Sequence, residues 1–262
     1  MTQVRFEGAA ARSLEATYQT PDLIAQRVRT LDLLAPRLGE RILDVGVGPG
    51  LLAYDLARLV GPQGQVAGLD VSEDMLALAR ERLAALPQAR LVQADAADLG
   101  LPDAAFDAAV STLVHEYVAD MPRALAELHR VLRPGGRLLM LDTDWRSIVW
   151  HSSDERRMAR VLDVWDGHLA DPHLPARLGP LLREAGFEVR RVEVFPMLAP
   201  EWRPASYAGG IVRSIRDYAL RHGPARGLPE EEIAAWWADH EAQVAAGRFF
   251  FSLNRYIFLA TR

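Results

Sequence analysis

Asp44 and Asp70 each stand where an apolar run ends, and Asp44 is followed by the glycine turn Gly46-Val47-Gly48-Pro49-Gly50. Ile42, Leu43 and Val45 suit a short strand buried on both faces. Gly46, Gly48 and Gly50 carry no Cβ, so a ligand can approach the backbone closely and unusual φ values are open to them. Pro49 is expected to keep Gly48 extended and to sit in the first turn of a helix reaching Val60. The free amides of that helix would face a pocket at the strand ends, and Asp70 could accept two hydroxyl hydrogen bonds from a ribose. This is how an α/β protein builds a site shaped for a nucleoside.

The spacing narrows the ligand. A dinucleotide fingerprint, G-x-G-x-x-G from Gly46, would need a small residue where Leu51 stands. No Gly-Lys-Ser/Thr follows, which excludes a P-loop. The observed pattern, D-x-G-x-G-x-G from Asp44, resembles motif I of class I S-adenosylmethionine (SAM) methyltransferases. Three later segments agree in order: Ala89 to Pro102, a strand ending at Asp95; Phe106 to Asp120, opened by a Phe-Asp pair; and Ala124 to Asp142, a helix, a Pro-Gly-Gly turn and a strand. The resemblance covers about Leu33 to Asp142 closely and is nearest to ubiquinone/menaquinone-type and related small-molecule methyltransferases.

The resemblance implies SAM as cofactor, S-adenosylhomocysteine as its product and EC 2.1.1 chemistry. It implies that Asp44 orients the turn and receives the methionine amine, with Gly46, Gly48 and Gly50 along the methionine and ribose. Asp70 takes the ribose hydroxyls, Val71 and Met75 pack on the adenine, and Asp95 with the Ala96 amide reads its edge. Ser111 and Thr112 border the sulfonium. Tyr18 covers the cofactor or packs in the core. Arg27 pairs with the cofactor carboxylate or is a solvated helix residue. His115, just past the fourth strand, is the first candidate base, since imidazole titrates near neutrality; the alternative is a structural histidine. His151 is the second catalytic candidate, in a loop leaving the fifth strand with Asp142, Asp144, Trp145 and Trp150. That loop is a plausible acceptor wall, suited to a cation or to a planar aromatic ring. His168, His173 and His240 read as surface or capping residues, and no metal-ligand spacing is present, so no metal is expected.

The elements that must position these residues alternate between strand and helix from 41 to 142, which predicts a doubly wound, mostly parallel sheet of seven strands. An N-terminal helical lid spans 1–40, with Leu14 to Leu38 helical and a helix start at Thr20-Pro21-Asp22. The Rossmann-like core spans 41–195, a helical insertion 196–247, and the last core strand 248–262. The insertion reads as helices over Pro204 to Arg221 and Pro229 to Ala246, serving as a substrate cap or else as a surface decoration or homodimer arm. Phe249 and Phe251 should share one strand face, with Phe250 on the other, and Asn254 or Arg255 is expected to reach the pocket or a dimer edge.

The chain has 262 residues, half of them apolar, with a net charge of −5 and no cysteine. That balance argues against nucleic acid as a partner and removes disulfides and thiolate metal sites. With no apolar leader or membrane-length run, a cytoplasmic protein without membrane contact is expected. The expected partner is a small-molecule acceptor, apolar or aromatic, methylated at O, N or C. The rival readings are a non-catalytic SAM-fold ligand-binding protein and an NAD-linked oxidoreductase.

Overall fold

The computed structural model describes residues 17–262. The start of the helix expected from Leu14 lies outside them. Among the described residues α1 (Pro21–Leu34) leads into β1 (Arg41–Val45), α2 (Leu51–Val60), β2 (Gln65–Asp70), α3 (Glu73–Leu83), β3 (Ala89–Gln93) and β4 (Phe106–Thr112). A 3-10 turn (His115–Tyr117) precedes α4 (Met121–Val131) and β5 (Leu132–Trp150), and a second (Pro224–Arg226) lies further on. Then come α5 (Glu155–Asp166), α6 (Leu174–Glu184), β6 (Glu188–Ala199), α7 (Tyr207–His222), α8 (Glu230–Ala245) and β7 (Phe251–Thr261).

The strands form one seven-stranded sheet in the order β3-β2-β1-β4-β5-β7-β6. β1 to β5 pair in parallel, and β7 runs antiparallel between β5 and β6. Apolar sequence on the central strands follows from helices covering both faces: β1 buries four of its five residues. β6 is an edge strand and leaves Val192, Val194 and Leu198 exposed.

Two expectations change. β5 does not end near Asp142 but continues to Trp150, because Val149 and Trp150 pair with Ser252 and Phe251 of β7 beyond a register shift after Asp144. The segment expected as a strand-end loop is therefore sheet. Likewise His168 and His240 are buried, not on the surface: His168 packs on Trp165 with centroids 3.7 Å apart, and His240 sits against Trp150, Trp202, Trp237 and Phe249.

The insertion folds as α7 and α8 and shares a core with α5 and the extended ends of β5 and β7. Trp145, Trp150, Met158, Trp165, Val212 and Trp236 are among its buried members. Phe249 and Phe251 are buried and Phe250 is 39% exposed, as strand alternation requires. α1 is held at several points. Arg29 pairs with Glu193 of β6 at 2.7 Å, and Arg137 reaches the Leu34 carbonyl at 3.0 Å and Glu40 at 2.7 Å. No helix among the described residues is long and apolar enough to cross a membrane.

Trp236 is 1% exposed and meets Trp150 edge-on at 5.4 Å. Trp236→Ala should cost about 3–5 kcal/mol in urea unfolding. A loss below about 1 kcal/mol would show that α8 is peripheral to the core.

Candidate active site

The site is assembled where β1, β2 and β4 end. The turn from Gly46 to Gly50 has three residues in the left-handed region, with φ of +73° at Gly46, +51° at Gly48 and +79° at Gly50. Gly48 is thus left-handed, not extended as its place before Pro49 suggested. α2 begins at Leu51 with Gly50 as its cap, so Pro49 belongs to the turn. Two close approaches explain the glycines. A Cβ on Gly46 would overlap the Val114 side chain, and one on Gly50 would stand 3.0 Å from Ala79 Cβ, where α2 and α3 pack.

Asp70 holds this turn in place. Its Oδ2 accepts the Gly48 N–H at 2.9 Å and its Oδ1 accepts the Ser72 N–H at 2.9 Å. Burial raises its pKa, and the amides of Ser72, Gly48 and Val71 oppose the rise. Asp44 lies beneath the turn, almost wholly buried. Burial, reinforced by Asp70, pushes its carboxyl up to about 7. Among the described residues its Oδ2 has no hydrogen-bond partner. A carboxyl left in that state is costly unless it is protonated or meets a cation.

Above the turn lies a cleft of about 550 Å³, part of it open to solvent, walled by residues that include Tyr18, Gln26, Arg27, Gly46, Gly48, Thr112 and Leu113. The Tyr18 ring stands over Gly48, its Cε2 4.0 Å from where a Cβ would be. Burial pushes the Tyr18 hydroxyl up to about 12. Arg27 donates from Nε to Asp55 Oδ2 at 2.9 Å while still lining the cleft.

The remaining expected residues are placed less uniformly. Val71 is 52% exposed beside Asp70, whereas Met75 is buried in α3. Asp95 is exposed past β3, accepting the Ala97 N–H at 2.7 Å, and Ala96 is buried beside it. Thr112 lines the cleft, but Ser111 is fully buried, its Oγ 2.9 Å from His115 Nδ1. His115 is fully enclosed, and burial lowers its pKa to about 4. It is therefore a neutral structural imidazole outside the cleft lining. His151 is exposed at the end of β5 and also lies outside that lining. Neither histidine lines the cleft.

Sequence reasoning missed Glu116, the neighbour of His115. Its Oε2 accepts the Thr143 N–H at 3.1 Å and the Trp145 Nε1–H at 3.3 Å. Asp142 Oδ1 accepts the Glu116 N–H at 3.3 Å. Burial raises both carboxyls; Glu116 pushes Asp142 further up, whereas the Thr143 amide, Arg255 and Trp145 oppose the rise at Glu116. Leu113, with φ of +60°, turns the chain so that His115 and Glu116 point inward.

Residues 43–140 match the family described as methyltransferase domain. Demethylmenaquinone methyltransferase of Symbiobacterium thermophilum is 35% identical over 174 residues, 58% of this chain and 69% of that protein. A 37.1 kDa protein of transposon TN4556 from Streptomyces fradiae is 36% identical over 231 residues, 88% of this chain and 65% of that protein. The chain thus spans just under two thirds of that relative, and it spans 47% of the ubiquinone/menaquinone C-methyltransferase of Teredinibacter turnerae. Phosphoethanolamine N-methyltransferase 2 of Haemonchus contortus, solved with SAM, superposes with a TM-score of 0.61 at 21% identity, covering 96% of this chain and 57% of that one. The 4+2 cyclase SpnF superposes with a TM-score of 0.59 at 26% identity, covering 91% of this chain and 80% of that one.

Gly46→Ala should lower stability by about 1–3 kcal/mol in thermal unfolding, through positive φ and the overlap with Val114. Adding Val114→Ala should recover part of the loss, and full tolerance of Gly46→Ala alone would contradict the turn geometry. The strand order, the glycine turn pinned by Asp70 and the similarity to menaquinone-type enzymes converge, and the chain belongs to the class I SAM-dependent methyltransferase family.

Proposed function

We propose that this protein transfers the methyl group of SAM to an O, N or C atom of a small apolar or aromatic metabolite. The observation that carries the reading is the partnerless Asp44 Oδ2 beneath a left-handed glycine turn, a carboxyl suited to the ammonium of the cofactor's methionine. When bound, SAM supplies an electrophilic methyl on a cationic sulfur. Asp70 would hold the ribose hydroxyls through lone pairs left after its two amide bonds. Tyr18 would cover the cofactor, and Thr112 would border the reacting centre. Arg27 would meet the cofactor carboxylate with the part of its guanidinium not given to Asp55. Val71, Met75, Asp95 and Ala96 would form the adenine end.

In this reading the described part of the lid is 17–40, with 41–195 the cofactor-binding core, 196–247 a cap and 248–262 the last core strand. The buried aromatic core of α5, α7 and α8 supports a cap over the strand ends, and an apolar or aromatic acceptor suits it. The matched family region ends at residue 140, before these helices, so the acceptor class rests on the cap and not on the family match. Enclosure and alignment of the two reactants can account for several kcal/mol of barrier reduction, about 7–11 in favourable cases. The likeness to a 4+2 cyclase supports a second reading, in which the same chamber holds a substrate without methyl transfer. Release of S-adenosylhomocysteine from SAM on any acceptor excludes it.

Calorimetric titration with SAM tests the cofactor site. Asp70→Ala should weaken binding by more than about tenfold without unfolding the protein, and unchanged affinity would refute the assignment. Asp44 gives a pH signature. Its raised pKa means that the folded protein keeps the proton below about 7 and releases it above. An ammonium needs the released form, so SAM affinity should rise between about pH 5.5 and 7, below the α-amino range of about 7.7–8.0. Asp44→Asn should flatten this dependence, and a flat wild-type profile would show that Asp44 does not meet the ammonium.

A further inference from the structure

Gln26 lies on the buried face of α1, with Leu23 and Thr30 about one turn to either side, and all three wall the cofactor cleft. A glutamine amide has an acceptor end and a donor end of nearly equal size, and its neighbours decide which way it points. Here the neighbour is Arg255, which donates to Gln26 Oε1. A guanidinium can only donate. The oxygen end is therefore fixed on Arg255, and the NH2 end is left for the cleft.

Arg255 is itself held on two sides. It stands in the row Phe251, Leu253, Arg255 and Ile257, whose side chains face inward from β7, and it is 2% exposed. Its other amino group donates to the Tyr207 hydroxyl of α7 at 2.8 Å, and its guanidinium carbon stands 4.7 Å from the centre of the Tyr207 ring. Strand and cap helix fix the arginine, and the arginine fixes the glutamine. A donor set in this way loses little freedom when a ligand arrives.

The lining of the cleft says which part of the cofactor that donor meets. Val71, Met75, Asp95 and Ala96, read as the adenine end, are not in the lining, whereas Gly46 and Gly48 above Asp44 are. The cleft therefore takes the methionine end, whose ammonium goes to Asp44. Among the described residues that line the cleft there is no carboxylate, and the cation there, Arg27, already gives its Nε to Asp55. An anionic group entering beside α1 needs a further donor, and the Gln26 amide faces it.

We propose that Gln26 donates its amide N–H to the carboxylate of the cofactor's methionine, and that Arg255 is the positioning residue that keeps this donor turned toward the cleft. This rests on the methyl-transfer reading above and adds a residue to the same site. Without Arg255 the amide could turn its oxygen to the carboxylate and repel it.

Calorimetry on the full chain compares S-adenosylhomocysteine with decarboxylated S-adenosylhomocysteine, which keeps the adenosine, the thioether and the ammonium. Wild type should bind the carboxylate-bearing compound about tenfold or more tightly. Gln26→Leu should cut that ratio by about fivefold or more, while binding the decarboxylated compound within about twofold of wild type. Gln26→Glu keeps an acceptor for Arg255 but turns a second carboxylate oxygen to the cleft. Its ratio should fall further, and it should resist urea better than Gln26→Leu. Arg255→Met should also lower the ratio, and adding Gln26→Leu to it should lower it little more, because both changes remove one interaction. Equal binding of the two compounds by wild type, an undiminished ratio in either Gln26 variant, or additive losses in the double variant overturns the proposal. Should Arg255→Met not fold, the urea comparison decides the role of Arg255: a Gln26→Glu variant no more stable than Gln26→Leu overturns it. Failure of wild type to bind either compound would instead sink the cofactor reading beneath it.

Discussion

A carboxylate removed from water must be given hydrogen bonds, and the donors given to Asp70 fix the rest of the site. One oxygen takes the amide of Gly48 and the other the amide of Ser72, so the turns following β1 and β2 are tied to a single side chain. That tie sets the glycine turn against Val114 and thereby against the segment leaving β4. Three strand ends are held in one geometry by one group, which also explains why the cleft exists before any ligand arrives.

The same principle, followed one layer deeper, separates His115 from Glu116. Burial drives an imidazole toward its neutral form and a carboxyl toward its protonated form. For His115 burial lowers the pKa to about 4, so the ring is neutral near pH 7. For Glu116 the shift moves the carboxyl toward the range in which it can exchange a proton under ordinary conditions, with Arg255 opposing the rise. Adjacent residues in one turn thus acquire opposite chemical prospects from one environment.

The parts of this architecture governed by local sequence were legible. The glycine turn, the acids ending β1 and β2, the helix start at Thr20-Pro21 and the two helices of the insertion all follow from short-range periodicity and turn chemistry. What was not legible depends on partners far along the chain. β5 has 19 residues because β7, more than a hundred positions later, pairs with its far end. Glu116 points inward because Asp142, Thr143 and Trp145 of β5 receive it. Arg255 showed a faint signal, a charge inside an apolar alternation, but only the fold reveals that Gln26 and Tyr207 enclose it. The burial of His168 and His240 was hidden for the same reason, since the aromatic core around them draws on α5, α7, α8, β5 and β7.

β6 closes one side of the sheet with a 12-residue strand whose outer backbone has no strand neighbour among the described residues and whose Val192 and Val194 stand in the open. Such a rim invites a foreign strand to add to it. Glu188, Arg190, Arg191 and Glu193 punctuate the same stretch, and Glu193 is gripped by both Arg29 and Arg191. A strand docking there would have to strip water from these ions or pry apart their pairs. The charges let a long ribbon remain solvent-facing without becoming a template for aggregation.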